Sequence, residues 1–148
     1  MVEEQKIDTN LYSRQIGTFG MEAMGKLIKM NVLIVGLRGL GVETAKNLIL
    51  AGPKSVTLYD PVPVSIGDLS SNFYCKEAHV GNATRAEASF DKLQELNPYV
   101  KVSVASSLQI EDLKNYHVVA YTEILTNIDD MIKANDFCRE HKIGFILS

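Results

Sequence analysis

The sequence predicts an α/β domain built on a mostly parallel sheet, with helices on both faces and a helical segment ahead of the first strand. Three observations lead there. Val32-Leu33-Ile34-Val35 is a short apolar run, mostly β-branched, of the kind that makes a buried strand. Gly36, Gly39 and Gly41 follow within one tight turn, and 42–51 then reads as a helix with Val42, Ala45, Leu48 and Ile49 on one face. Strand and helix patterns alternate from there to the last residues at intervals of about 25–30 residues. Strand, Gly-rich turn and helix together are the opening unit of a Rossmann-like fold, in which backbone amides at the helix N-terminus can face a phosphate.

Taken in order, residues 1–10 are polar and expected as a disordered tail, and the domain is expected over 11–148. The stretch 11–30 carries apolar residues at mixed three- and four-residue spacing. Gly17 and Gly20 interrupt it, so two short helices are expected rather than one. The helix 42–51 is stopped by Gly52-Pro53. A second strand over 55–59 ends in Asp60-Pro61. The connection 62–84 is long enough to expect short helices or a function in it. A helix over 85–96 closes at Asn97-Pro98. Val100, Val102 and Val104 alternate as in a strand, and 109–115 is a short helix or loop. Strand 118–121 precedes a helix starting at Asn127 or Asp129, with Met131, Ile132, Ala134, Phe137 and Cys138 turned inward. The last strand, 143–147, has no covering element after it, and a fragment of a longer chain is expected.

Composition narrows the function classes. The chain has 148 residues, 46% of them hydrophobic and 22% charged, which suits one globular domain. A net charge of −3 gives no electrostatic footprint for nucleic acid. No apolar run reaches the length of a membrane span, and no signal-peptide pattern opens the chain. Cys75 and Cys138 form no CxxC pair, and His79, His117 and His141 lack metal-ligand spacing. The default is a reduced, cytosolic protein with no metal site.

In parallel sheets of this kind ligands sit at the carboxyl ends of the strands, where Gly36, Asp60 and Glu123 all fall. The turn Gly36-Leu37-Arg38-Gly39-Leu40-Gly41 spaces its glycines as G-x-x-G-x-G, not as the dinucleotide G-x-G-x-x-G. It reads either as a nucleotide loop or as a structural turn, and Arg38 inside it favours the second. Asp60 could bond ribose hydroxyls, or it could cap the turn before Pro61. Arg14, in Tyr12-Ser13-Arg14-Gln15, reads from composition as a solvated side chain.

The blocks LYSRQIGTFGMEAM, NVLIVGLRGLGVETAKNLILAG, SVTLYDP, DLSSNFY, VGNATRAEA and LQELNPYVKV resemble, in order and spacing, the N-terminal half of the ubiquitin-activating enzyme family. That family belongs to the ThiF/MoeB-like adenylating proteins. The resemblance implies an ATP- and Mg-dependent enzyme of the cytoplasm and nucleus. Such an enzyme adenylates the ubiquitin C-terminus, passes it to a cysteine as a thioester, and works with ubiquitin and ubiquitin-conjugating (E2) enzymes. It implies two adenylation domains, one active and one inactive, with this chain in the inactive one and no cofactor expected in it.

Several positions carry that implication. Arg38 stands where active members have glycine. Ser70 and Ser71 stand in place of an Asn-Arg pair, and Thr84 in place of a phosphate-neutralising lysine. Glu123-Ile124 replaces an Asp-Asn pair, while Asp60 is retained. Gly36, Gly39, Gly41 and Asp60 then mark a degenerate nucleotide site expected to be empty. Arg14 matches an arginine finger that acts in trans on ATP bound by the partner adenylation domain. Neither cysteine matches the thioester cysteine, which belongs to another domain. Two alternatives remain: the regulatory subunit of a heterodimeric SUMO- or NEDD8-type activator, and a Rossmann oxidoreductase using Asp60 on an NAD ribose.

Overall fold

The computed structural model describes residues 7–148. Five parallel strands form one sheet in the order β3-β2-β1-β4-β5, where β1 is Asn31–Val35, β2 Ser55–Tyr59, β3 Lys101–Val104, β4 Val118–Tyr121 and β5 Gly144–Leu147. β1 pairs with β2 on one side and β4 on the other. After β3 the chain crosses over β1 to begin β4, so the topological switch point lies between β1 and β4.

β1 is central because both its faces are buried: Leu33 and Ile34 are fully excluded from solvent on opposite sides. On one face Val32, Ile34, Val56, Leu58 and Val102 pack beneath the helices α2, Gly39–Ala51, and α3, Arg85–Gln94. On the other, Leu33, Val35 and Val119 meet Leu113 of the 3-10 segment Ile110–Asn115, and Ala134 and Cys138 of α4, Ile128–Glu140. Apolar burial on this scale is the main stabilising term, about 1.5–3 kcal/mol for each large side chain.

The leading helix α1, Ser13–Leu27, is broken at Gly20, where φ is 83°. That is the division expected from the glycines. Two 3-10 segments, Ile66–Ser70 and Glu77–His79, occupy the long connection. Helix α2 begins three residues before the sequence pattern suggests, because Gly39 and Leu40 already belong to its first turn. One side chain is misplaced by the periodicity: Ile132 is exposed on the outer face of α4, while Met131, Ala134 and Cys138 point inward. A 3.6-residue period sends neighbours 131 and 132 about 100° apart, so only one can face a narrow contact. Of the stretch 1–10, residues 1–6 lie outside the described residues. Asp8 accepts the backbone N–H of Asn10 and Leu11, each at 3.0 Å, and the Tyr99 hydroxyl at 3.0 Å.

Among the described residues no helix is long and apolar enough to cross a membrane.

Candidate functional site

The turn after β1 is built by sterics. Gly36 has φ 94°, a left-handed conformation that side chains disfavour, and a Cβ there would come within 2.7 Å of Glu123. A Cβ on Gly41 would collide with the Gly36 carbonyl oxygen. The Thr122 hydroxyl donates to that same carbonyl at 2.8 Å and ties the end of β4 to the turn. The structure thus brings Gly36, Gly39, Gly41, Asp60 and Glu123 together at the carboxyl ends of the strands.

Asp60 is almost fully buried and turned back into the turn. Its Oδ2 accepts the Leu37 backbone N–H at 2.8 Å, and its Oδ1 accepts that of Val62 at 3.0 Å. Both carboxylate oxygens therefore serve the chain's own backbone. Asn72, also buried, donates to the Leu37 carbonyl at 2.8 Å and to the Ser89 hydroxyl at 3.0 Å, latching the long connection onto the turn. The backbone of Ser71 lies against the start of α2, where a Cβ on Gly39 would come within 3.1 Å of the Ser71 carbonyl oxygen.

The centre of the site is a residue outside the candidates that the sequence offers. Arg85 opens α3 directly after the capping Thr84, whose hydroxyl accepts the Glu87 N–H at 3.2 Å. Its side chain is 3% exposed and lies among three carboxylates. One of its terminal nitrogens, Nη1, is 3.4 Å from Asp60 and 3.2 Å from Glu123. Its Nε is 3.0 Å from Asp68, an ion-pair distance at an angle that makes no hydrogen bond. Arg38, 60% exposed, reaches the same group from above, with its Nε 3.1 Å from Glu123 and 4.0 Å from Asp68. Two guanidinium charges thus face three carboxylates, a balance of −1.

Burial pushes the Asp68 carboxyl up. Hydrogen bonds from the Ser65 N–H and hydroxyl, together with the Arg85 guanidinium, more than offset this and hold it below its usual range. Burial acts to lower the Arg85 pKa, but the surrounding carboxylates of Asp68, Asp60 and Glu123 raise it.

A signal for Arg85 was present in the sequence. A cation in the first turn of a helix opposes the helix dipole, so its charge must be matched elsewhere. Asp68 and Asn72 lay in plain view in the long connection but had no pattern to mark them.

Other candidates lie apart from this cluster. Arg14 is exposed on α1 and is followed by Gln15, whose side chain donates to the Ala51 carbonyl at 2.8 Å at the far end of α2. The thirteen residues of α2 put that end about 18 Å from the Gly turn. Cys75 and Cys138 are free and buried, and burial pushes both thiols up, which disfavours the nucleophilic thiolate. No group of three or more His, Cys, Asp or Glu side chains among the described residues is arranged to hold a metal ion. A cavity of about 380 Å³ opens on the α4 side of the sheet, lined by Val35, Tyr59, Leu108, Tyr121 and Met131.

The sheet order, the glycine turn at the switch point and the acid ending β2 define an α/β domain of the Rossmann-like type. The chain belongs to the ThiF family, which residues 12–146 match. It is 48% identical over 144 residues to a ubiquitin-activating enzyme of Schizosaccharomyces pombe, and 49% identical over 145 residues to one of Arabidopsis thaliana. It is 44% identical over 146 residues to the human ubiquitin-like modifier-activating enzyme 1. These alignments cover 96–98% of this chain but only 13–14% of the relatives, so the chain spans about one seventh of their length. Among solved structures the fold is similar to Escherichia coli tRNA N6-threonylcarbamoyladenosine dehydratase in complex with ATP. The TM-score is 0.78 at 18% identity, over 94% of this chain and 58% of that one.

Proposed function

We propose that this chain is the N-terminal part of a ubiquitin-activating enzyme, and that it forms the catalytically degenerate one of two adenylation-type domains. The identity of about one half to such enzymes supports the placement. One observation carries the degeneracy: an ion cluster of the chain's own side chains fills the carboxyl ends of the strands, where a domain of this type would hold the nucleotide phosphates. ATP brings about four negative charges, and an adenylating site must meet them with free cations and open backbone amides. Here both cations are held by carboxylates, and the cluster's balance is negative. The Asp60 oxygens are engaged by Leu37 and Val62, and the Ser71 backbone stands at the start of α2. These residues do not fit a nucleoside triphosphate with its magnesium. The same engagement of Asp60 argues against a dinucleotide ribose bound there.

The domain's contribution would then be structural and in trans. Arg14 cannot reach its own turn from the far end of α2, yet its exposed guanidinium is free to enter the nucleotide site of a neighbouring adenylation domain. Arg14, Phe19 and Leu50 share one shallow depression between α1 and α2. Leu11, Met21 and Phe73 add exposed apolar area of the sort a partner domain covers. ATP and magnesium would be bound by that partner, and ubiquitin and conjugating enzymes by further parts of the polypeptide. Its workplace would be the cytoplasm and nucleus.

The test is ATP–pyrophosphate exchange with ubiquitin. Chain 1–148 alone is expected to give none, and the full-length enzyme is expected to lose much of its rate on Arg14→Ala. Robust exchange by the chain alone would sink the degenerate reading.

A further inference from the structure

Arg14 can act on another domain only if the segment carrying it is held still, and packing does little of that. Within α1 only Met24 is buried. Polar ties at the helix start do the work instead, and they bracket Arg14 on both sides. Tyr12, two residues before it, is 5% exposed. Its phenol lies directly on Gly52 at the end of α2, where a Cβ would stand 2.5 Å from the hydroxyl oxygen. The buried Asn97, in the turn between α3 and β3, donates one amide hydrogen to that hydroxyl at 2.8 Å and the other to the Ile49 carbonyl at 2.9 Å. The Asn97 side-chain oxygen accepts the Tyr99 N–H at 3.1 Å, which fixes the amide's orientation. One residue after Arg14, the Gln15 amide donates to the Ala51 carbonyl. The carbonyls of Ile49 and Ala51 belong to the last turn of α2, where intrahelical donors run out; that of Ile49 also accepts the Gly52 N–H at 3.2 Å.

We infer that Tyr12, Asn97 and Gln15 are positioning residues for Arg14. They bolt the start of α1 to the C-terminal turn of α2, so that the guanidinium is presented to the partner's nucleotide in one pose. The inference rests on the trans role proposed for Arg14. It adds that geometry, set by a buried amide–phenol contact, decides how much of that role is realised. A charge misplaced by about 1 Å loses most of its effect on a transition state.

The test uses the full-length enzyme, with pyrophosphate-exchange rates normalised to folded protein. Tyr12→Phe removes one oxygen and keeps the ring on Gly52. It is expected to lower kcat about fivefold, the equivalent of one hydrogen bond. In an Arg14→Ala background it is expected to have no further effect. Gln15→Ala, at a half-buried position, is expected to behave the same way, and it carries the test if Tyr12→Phe does not fold. Effects that multiply with Arg14→Ala would mean a role in stability alone, and that result overturns the inference, as does an unchanged kcat. If Arg14→Ala itself leaves exchange at the wild-type rate, the arginine reading fails first and the positioning role falls with it.

Discussion

Replacing Arg85 by methionine tests the ion cluster most sharply. The variant keeps most of the side-chain volume and removes the cation between Asp60, Asp68 and Glu123. The Arg85, Asp60 and Asp68 side chains are 3%, 0% and 4% exposed, so water cannot take over the lost charge. Arg38 remains, but at 60% exposure it is screened and lies 4.0 Å from Asp68. Removing one partner of a buried ion pair costs about 3–5 kcal/mol, because the other charge is left uncompensated. For a domain of this size that lowers the melting temperature by roughly 6–20 °C.

The pH dependence gives a second reading of the same variant. Asp68 has a depressed pKa in the folded protein, so its pairing stabilises above the unfolded carboxyl value of about 3.9 and is lost as pH falls through the lower folded value. Without Arg85 the buried Asp68 carboxylate is relieved by protonation. The deficit of the variant should therefore be largest at neutral pH and shrink towards about pH 4. Thermal unfolding of both proteins across that range is the assay. A deficit under about 1 kcal/mol at neutral pH, or one that does not change with pH, would refute the reasoning.

Asn72→Ala should cost about 1–3 kcal/mol in denaturant unfolding, since the Leu37 carbonyl and the Tyr74 N–H both lose a buried partner. Gly41→Ala should be among the most damaging single substitutions, visible as loss of soluble folded protein, because its Cβ has nowhere to go beside the Gly36 carbonyl. Arg14→Ala, at an exposed position with no ion pair among the described residues, should change the melting temperature of the chain by little. A large loss there would mean that Arg14 holds this fold together instead of facing a partner.

Most of the fold could be read from the sequence, because local rules and burial agree along it. Val32 to Val35 is apolar on both faces since the strand is central, and the Gly36–Gly41 spacing reports a real collision between backbones. Thr84 and Asn127 sit at helix starts with the capping bonds that their side chains suit. Ile132 escaped because periodicity assigns a face but not the width of the contact. Arg38 stands out inside the turn, but nothing local to it names its partners. The cluster joins residues 38, 60, 68, 85 and 123, brought together by three crossovers, and no local pattern encodes such a meeting. The Asn97–Tyr12 contact, 85 residues apart in the chain, was hidden for the same reason.

If the Gly turn of this chain is closed to nucleotide by its own charges, the chain should not take up magnesium–ATP. Calorimetric titration of chain 1–148 with magnesium–ATP at millimolar concentration tests it directly. No saturable heat and no gain in melting temperature are expected. Saturable binding with a micromolar Kd, matched by about 2.7 kcal/mol of stabilisation at a hundredfold excess over that Kd, would mean that the turn is open to nucleotide.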